Sequence, residues 1–235
     1  MAPSKPRVLL VLTSHGVLGA SGKPTGWYLP EFAHPYRQLH KIADITVASP
    51  AGGEAPLDPG SVESWKQEEV SAQFLETQSH LWKNTEKLDS FLGKANDFAA
   101  IFYVGGHGPM FDLATDASSI QLIREFFEGG KVVAALCHGP ASLVNVKLSD
   151  GSYLVADAEV TGFSNAEEDS VHLSQFMPFM LETELNRNSN GKYIKADKPW
   201  AEFVVVSKGG RLITGQNAAS ATATGNAIVE AITRT

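Results

Sequence analysis

Lys131-Val-Val-Ala-Ala-Leu-Cys-His-Gly-Pro140 is a short apolar run that stops at the only cysteine of the chain. Residues 132–136 are apolar without alternation, which predicts a strand buried on both faces of a parallel sheet. The Gly-Pro pair that follows predicts the first turn of a helix, because the missing N–H of a proline is tolerated there. The sequence therefore places Cys137 and His138 on a sharp bend between a buried strand and a helix.

This bend matters for the chemistry of Cys137. A thiol at a helix N-terminus lies near unpaired backbone N–H groups and the positive end of the helix dipole, and both favour the thiolate. A cysteine of pKa about 8.5 is only about 3% thiolate at pH 7, whereas a pKa of about 6.5 makes it roughly three-quarters thiolate. We therefore expect a nucleophile with a lowered pKa. The alternative is a small buried core residue, as most free cysteines are.

Buried strands alternate with helices along the rest of the chain. Apolar runs at 8–13 and 98–104 predict further parallel strands, and the pattern at 118–128 predicts the helix that precedes the cysteine strand. This alternation predicts an α/β fold with a doubly wound, mostly parallel sheet and helices on both faces. The loops after residues 13, 104 and 136 then meet at one edge of the sheet, where such folds bind ligands.

The flanking segments complete this pattern. Thr25 is expected to cap a helix over residues 26–42, with Glu31 one turn in on a face that should be buried. The segment 200–215 predicts a hairpin, and Ser220 is expected to cap the last helix.

The segment at about 50–97 interrupts the alternation of strands and helices. It begins with a turn-rich stretch and continues with polar pieces that predict helices around 68–77 and 86–92. We interpret the segment as an insertion within one domain of residues 1–235, serving as a cap beside the site or as a dimerisation surface.

The composition limits the classes of partner. The formal net charge is −7 and no block of Lys and Arg occurs, which argues against nucleic acid as the main partner. A single cysteine fits a reducing compartment, and the apolar run after the N-terminus is too short for a signal peptide or a membrane span. We expect a protein of the cytosol, and also of the nucleus, that does not associate with membranes.

Four segments of the sequence are similar to one known family. They are Ala135-Leu-Cys-His-Gly-Pro140, Val104-Gly-Gly-His-Gly108, Gly26-Trp-Tyr-Leu-Pro-Glu31 and Val160-Thr-Gly-Phe-Ser-Asn-Ala-Glu-Glu168. Taken in their order along the chain, and over nearly its whole length, they resemble the DJ-1/PfpI superfamily, and more narrowly its Hsp31-like, glutathione-independent glyoxalases. The resemblance implies a flavodoxin-like domain related to class I glutamine amidotransferases, a cap at the insertion and a homodimer.

The resemblance also implies catalytic roles for four residues. Cys137 would be the nucleophile, His138 its partner, and Glu168 the acid that orients the imidazole of His138. Glu167 stays open as the alternative partner, since a shift of one residue in the alignment would select it. The fourth residue, Glu31, would reach the sulfur. Because a carboxylate beside a thiolate raises the pKa of both groups, we expect Glu31 to be buried and partly protonated.

Such a site suits a small 2-oxoaldehyde. The thiolate would attack the aldehyde of methylglyoxal, and backbone N–H groups at Gly106, His107 and His138 would hold the oxyanion. Either Glu31 or His138 would then move a proton between the two carbons, and water would release lactate. This scheme is that of a lyase of the glyoxalase III type and needs no cofactor. No metal site is predicted, because the seven histidines form no H-E-x-x-H pattern and no cluster with the cysteine.

Three other activities stay open. Hsp31-like proteins are also described as stress-inducible holdase chaperones, which would require an exposed apolar patch. Repair of glycated proteins would use the same thiol, and so would a cysteine peptidase or amidase. A small closed pocket around Cys137 would favour the aldehyde reaction, whereas an open groove would favour peptide cleavage.

Overall fold

The structure is a computed structural model that describes residues 5–234. It contains one sheet of seven strands. In chain order these are β1 (Arg7–Val11), β2 (Asp44–Ser49), β3 (Glu86–Lys87), β4 (Ala100–Tyr103), β5 (Val132–Leu136), β6 (Val204–Ser207) and β7 (Leu212–Gly215). The α-helices are α1 (Leu29–Leu39), α2 (Pro59–Trp65), α3 (Glu69–Thr77), α4 (His80–Lys83), α5 (Ala117–Glu128), α6 (Asn165–Ser170), α7 (Leu181–Asn188) and α8 (Ala221–Thr233).

The strands lie in the order β3-β2-β1-β4-β5-β7-β6. All neighbours are parallel except β6, which is antiparallel to β7 at one edge. The chain leaves β1 toward one edge through α1 and leaves β4 toward the other through α5. Because such crossovers are almost always right-handed, the two helices cover opposite faces of the sheet. The predicted doubly wound, mostly parallel α/β fold is confirmed.

The central strands form where the sequence is continuously apolar. Every residue of β4 and β5 is buried, as expected for strands covered on both faces. The predicted bounds of β5 are confirmed. Strand β1 begins one residue before the predicted run at 8–13 and ends two residues before the end of that run. Strand β4 begins two residues later and ends one residue earlier than the run at 98–104. From β1 the chain proceeds toward one edge of the sheet, and from β4 it proceeds toward the other edge. In sheets of this kind, ligands bind at the boundary between two such strands.

The prediction for the first helix was wrong at both ends. The helix α1 begins at Leu29 and has Tyr28 as its N-cap. Thr25 does not cap it, because its hydroxyl donates a hydrogen bond to Asp58 Oδ2 at 3.0 Å. That partner lies far away in sequence, so local pattern could not reveal it. The buried face was predicted correctly, since both Phe32 and Glu31 are buried.

The segment at 50–97 packs on α1 through aromatic side chains. Phe74 of α3 lies 4.7 Å from Phe32, and Trp82 lies 5.4 Å from Trp27, measured between ring centroids. The predicted helix at 68–77 is confirmed as α3. The predicted helix at 86–92 was wrong, because these residues form the short edge strand β3 and a 3-10 helix at Leu88–Phe91.

The C-terminal part differs from prediction in detail. The hairpin begins at β6 rather than at residue 200, because the N–H of Trp200 bonds to a side chain instead of a strand. Ser220 stands at the N-cap of α8, but its hydroxyl donates to Asn217 Oδ1 rather than capping the helix. No helix within residues 5–234 has the length and apolar character needed to cross a membrane.

Candidate active site

Cys137 lies on a strained bend directly after β5. Its φ is 60°, a left-handed conformation that costs a residue with a side chain about 1–3 kcal/mol. Two backbone hydrogen bonds hold the bend: Cys137 N–H donates to Gly215 O at 2.9 Å, and Phe163 N–H donates to Cys137 O at 2.8 Å. The predicted helix after the bend was wrong in type, because the segment Gly139–Leu143 is a short 3-10 helix.

The environment of the thiol is apolar rather than strongly positive. Cys137 is 5% exposed, and burial, followed by the nearby Glu31, raises its pKa well above the ordinary value. Of the main groups that affect the pKa of Cys137, only the backbone N–H of Gly106 favours the thiolate. The expected lowering of the thiol pKa was therefore wrong. Burial outweighs the contribution of one short helical turn, and the thiol is protonated at rest.

Glu31 reaches the thiol from the first turn of α1. The side chain is 1% exposed, and its Oε2 has no hydrogen-bond partner within residues 5–234. Gly105 makes room for it, because a Cβ at that position would lie 2.2 Å from Glu31 Oε2 and 2.8 Å from Cys137 Cβ. Burial raises the pKa of Glu31 to about 8, although the Cys137 thiol and the Gly105 backbone favour the charged form. Glu31 is thus mostly protonated at pH 7.

His138 lies between the thiol and an acid. Its Nδ1 is 3.4 Å from Cys137 Sγ, and its Nε2 is 2.6 Å from Glu168 Oε2. Burial and the charge of His107 lower the pKa of His138. Burial opposes the ionisation of Glu168, but the two histidines outweigh it and hold the pKa of this carboxyl far below its ordinary value. An ionised Glu168 accepts the Nε2–H, so the neutral imidazole presents its Nδ1 lone pair to the sulfur.

Glu167 has a different environment from Glu168. It forms a capping box with Ser164 at the start of α6 and accepts hydrogen bonds from Gln216 and Asn217. Its other contact is the backbone N–H of Trp200, at 2.8 Å from Oε1. Of the two candidate acids, the structure brings only Glu168 against His138.

The side chain of His107 has a role that the sequence did not predict, since only the backbone N–H of this residue was expected to contribute to the site. Its Nε2 is 2.8 Å from Glu168 Oε1, so one carboxylate accepts from two histidines. The rings of His107 and His138 lie 4.1 Å apart between centroids. The available signal was the histidine within Gly105-Gly-His-Gly108, at the end of a strand that neighbours the cysteine strand.

The same three side chains could hold a metal ion. His107, His138 and Glu168 each offer a ligand atom, and these atoms lie within 4.8 Å of one another. Two imidazoles and a carboxylate are a common ligand set for zinc. In this structure both Nε2 atoms are hydrogen-bonded to the carboxylate, so a cation would have to displace both of these protons.

Cys137 opens into a cavity of about 260 Å³ at the carboxyl edge of the sheet. Glu31, Gly106, His107 and His138 also contribute to its walls. Asp58, Gly60 and Ser64 line it from the segment at 50–97. Apolar and aromatic side chains complete the wall: Tyr28, Phe163, Val171, Leu173, Trp200 and Ala218.

The profile of the DJ-1/PfpI family matches residues 31–231. The chain belongs to the DJ-1/PfpI family. Among solved structures of similar fold, Rapid Encystment Protein 24 kDa of Francisella tularensis is 36% identical, with a TM-score of 0.89 over 97% of this chain and 99% of that one. Glyoxalase III from Candida albicans is 28% identical, with a TM-score of 0.85 over 96% and 97% of the two chains.

A curated relative agrees with this family assignment along the full length. A glutathione-independent glyoxalase of Schizosaccharomyces pombe is 28% identical over 99% of both chains. The resemblance to Hsp31-like members of the DJ-1/PfpI family is therefore confirmed.

Proposed function

We propose that the protein is a glutathione-independent glyoxalase that converts methylglyoxal and related 2-oxoaldehydes to 2-hydroxy acids. The observation that supports this proposal best is the pair of proton carriers around one buried thiol. Glu31 is mostly protonated, and His138 is neutral and oriented by Glu168. An isomerisation that moves one proton between adjacent carbons needs an acid and a base of this kind. The names of the relatives from Candida albicans and Schizosaccharomyces pombe support the same activity.

In the first step, Cys137 Sγ adds to the aldehyde carbon of the substrate. His138 Nδ1, 3.4 Å from the sulfur, accepts the thiol proton, and the carboxylate of Glu168 stabilises the imidazolium that results. The N–H groups of Gly106, His107 and His138 are the proposed donors to the oxyanion. Glu31 then gives its proton to this oxygen, which leaves a neutral hemithioacetal and a carboxylate.

In the second step, the Glu31 carboxylate removes the hydrogen from the former aldehyde carbon. The electrons of that bond move to the neighbouring carbonyl oxygen and form an enediolate. The hydroxyl proton passes from the first oxygen to this second oxygen, and Glu31 returns the abstracted proton to the neighbouring carbon. The product is a thioester of lactate on Cys137. One carbon is oxidised and the next is reduced, so the step balances without nicotinamide or glutathione.

In the last step, water attacks the thioester and the C–S bond breaks. The Glu31 carboxylate accepts a proton from the attacking water, which restores its protonated form. The imidazolium of His138 returns its proton to the departing sulfur, which restores the thiol. The sum of the three steps is one 2-oxoaldehyde and one water converted to one 2-hydroxy acid.

The direct test is lactate formation from methylglyoxal by the purified protein without glutathione, added metal or nicotinamide. Enantiomer-specific lactate dehydrogenases would measure the product, and a parallel reaction with a chelator would test the cluster of His107, His138 and Glu168. We expect lactate at the same rate with and without the chelator. Absence of lactate from a folded sample would contradict the proposal, and loss of activity only with the chelator would assign the reaction to a bound metal.

The proposed roles predict a bell-shaped pH profile of kcat/KM. Raising the pH through about 8, the pKa to which burial raises Glu31, removes the proton that Glu31 must donate, so activity should fall there. The lowered pKa of His138 keeps it a neutral base below its usual titration range, so the acid limb should lie below about pH 6.5. Initial rates with methylglyoxal, which does not titrate, would check both limbs. A rate that still rises above about pH 9 would indicate that thiolate formation controls the profile instead.

His107 is proposed as a positioning residue that acts through Glu168. A hydrogen bond to a charged group contributes about 1.5–3 kcal/mol, so His107→Ala should lower kcat about tenfold or more. His107→Gln is the matched control, because its amide can still donate to Glu168 Oε1. Removing the charge of His107 should also raise the pKa of His138 and move the acid limb upward in both variants. Unchanged kcat and pH profile in His107→Ala would contradict this role.

The shape of the site favours the aldehyde reaction over the alternatives. Cys137 is only 5% exposed and lines a cavity of about 260 Å³, a volume that suits a small aldehyde better than an extended peptide. Within residues 5–234, the exposed large hydrophobic residues are Val17, Trp200 and Val206, which gives little support to a holdase surface. We further propose, from family resemblance, a cytosolic homodimer. Sedimentation velocity of the purified protein should give the mass of two chains, and a one-chain mass would contradict the dimer.

A further inference from the structure

We propose that the preferred substrates are 2-oxoaldehydes with a bulky apolar or aromatic substituent, held against Trp200 as the outer wall of the pocket. This inference rests on the proposed function and specifies its substrate class. The reacting aldehyde would lie at Cys137, and the substituent would point away from the thiol toward the mouth of the cavity. The reaction would balance as it does for methylglyoxal, with one water added and a 2-hydroxy acid released.

The first argument is space. The cavity measures about 260 Å³. The molecular volume of methylglyoxal is close to that of roughly three water molecules. At about 30 Å³ per water, this is on the order of 100 Å³. A substrate of that size would leave most of the cavity filled with water, so contacts beyond the reacting carbons would contribute little to its binding. A substituent of the size of a phenyl ring would occupy the remaining space.

The second argument is the chemistry of the wall. Phe163 lies 4.4 Å from the ring of His138, and Trp200 lies 5.4 Å from Phe163, both between centroids. Aromatic surface therefore extends from the imidazole of His138 to a tryptophan that is partly exposed to solvent. Val171 and Leu173, which follow α6, add aliphatic surface to the same cavity. Such surfaces bind apolar groups, and aromatic pairs contribute beyond the area that they bury.

The third argument is how Trp200 is held. The residue is 47% exposed and has a φ of 66°, so both its solvent exposure and its backbone are unfavourable for tryptophan. Its N–H donates to Glu167 Oε1 at 2.8 Å, and the side chain of Glu167 is fully buried. Gln216 and Asn217 donate to the same carboxylate. A buried charge thus fixes the backbone of an exposed aromatic residue, as expected where strain supports a binding surface.

The test compares phenylglyoxal with methylglyoxal, using kcat/KM for mandelate and lactate formation. We expect wild type to favour phenylglyoxal. Trp200→Ala should lower the ratio of the two kcat/KM values about tenfold, which is the upper end of one aromatic contact. Trp200→Phe is the matched control and should keep the ratio within about threefold. Both variants have a side chain at the same strained φ. A difference between their kcat/KM ratios therefore measures the contribution of the aromatic ring and not an effect on the backbone.

A second variant guards against effects on folding. Leu173→Ala removes aliphatic surface from the same cavity without changing a left-handed residue, and it should also lower the ratio. A wild-type preference for methylglyoxal, or an unchanged ratio in Trp200→Ala, would overturn the inference and leave the glyoxalase proposal standing. Failure of the folded wild type to convert either aldehyde would instead overturn the proposed function itself.

Discussion

Cys137→Ala is expected to abolish lactate formation from methylglyoxal, lowering kcat/KM by about three orders of magnitude or more. The reason is that every proposed intermediate is bonded to this sulfur. The chain has no other cysteine that could replace it. The measurement is a time course of lactate by wild type and variant at matched concentration, without glutathione.

The variant should fold, which makes the result interpretable. Alanine retains the Cβ at the strained φ of 60°, and the two backbone hydrogen bonds of the bend do not involve the thiol. Cys137→Ser is the second variant, because it keeps a smaller, far less acidic nucleophile near His138. We expect it to be nearly inactive as well. Substantial lactate from a folded Cys137→Ala would show that the thiol is not the nucleophile.

Glu31→Gln is expected to lower kcat/KM by about two to four orders of magnitude, the usual contribution of a positioned acid or base. Glutamine has the shape of a protonated glutamate, but it cannot release and recover a proton. Because the neutral form of Glu31 already predominates at pH 7, the substitution removes no buried charge and should leave the fold intact. Initial rates across the pH range would measure the loss, and the fall in rate near pH 8 should disappear.

Two further observations separate this role from a structural one. The charge of Glu31 contributes to the raised pKa of Cys137, so thiolate absorbance in Glu31→Gln should titrate at lower pH than in wild type. Glu69→Gln, at an exposed position in α3, is the matched control and should change neither rate nor titration. If Glu31→Gln retained at least a tenth of the activity, His138 would have to move the carbon-bound proton instead.

Much of the fold could be predicted because its signals are local. The strands β1, β4 and β5 are continuous apolar runs, and their alternation with helices requires a parallel sheet covered on both faces. The errors arise where distant residues decide the local structure. Thr25 bonds to Asp58 instead of capping a helix, and Trp200 bonds to Glu167 instead of extending a strand. No pattern in the sequence links either residue to its partner.

The sequence predicted which residues form the candidate site, but it did not predict the pKa of the thiol. Cys137, His138, Glu31 and Glu168 lie together as the family resemblance implied, whereas the second contact of Glu168, with His107, was missed. The expected low pKa of the thiol was wrong, because a sequence shows that a helical turn follows but not how deeply the sulfur is buried. Burial depends on the packing of several segments, and no single segment encodes it.

Because Cys137 is the only cysteine of the chain and lines the pocket, its chemical modification reports whether the pocket is occupied. Any thiol-directed reagent that modifies one equivalent must have entered the cavity, since no second sulfhydryl can contribute to the count. The rate of labelling therefore measures access to the pocket, and the protection given by an unreactive compound measures its affinity. Competing ligands can be ranked in this way before any substrate is identified, and in variants that no longer turn over.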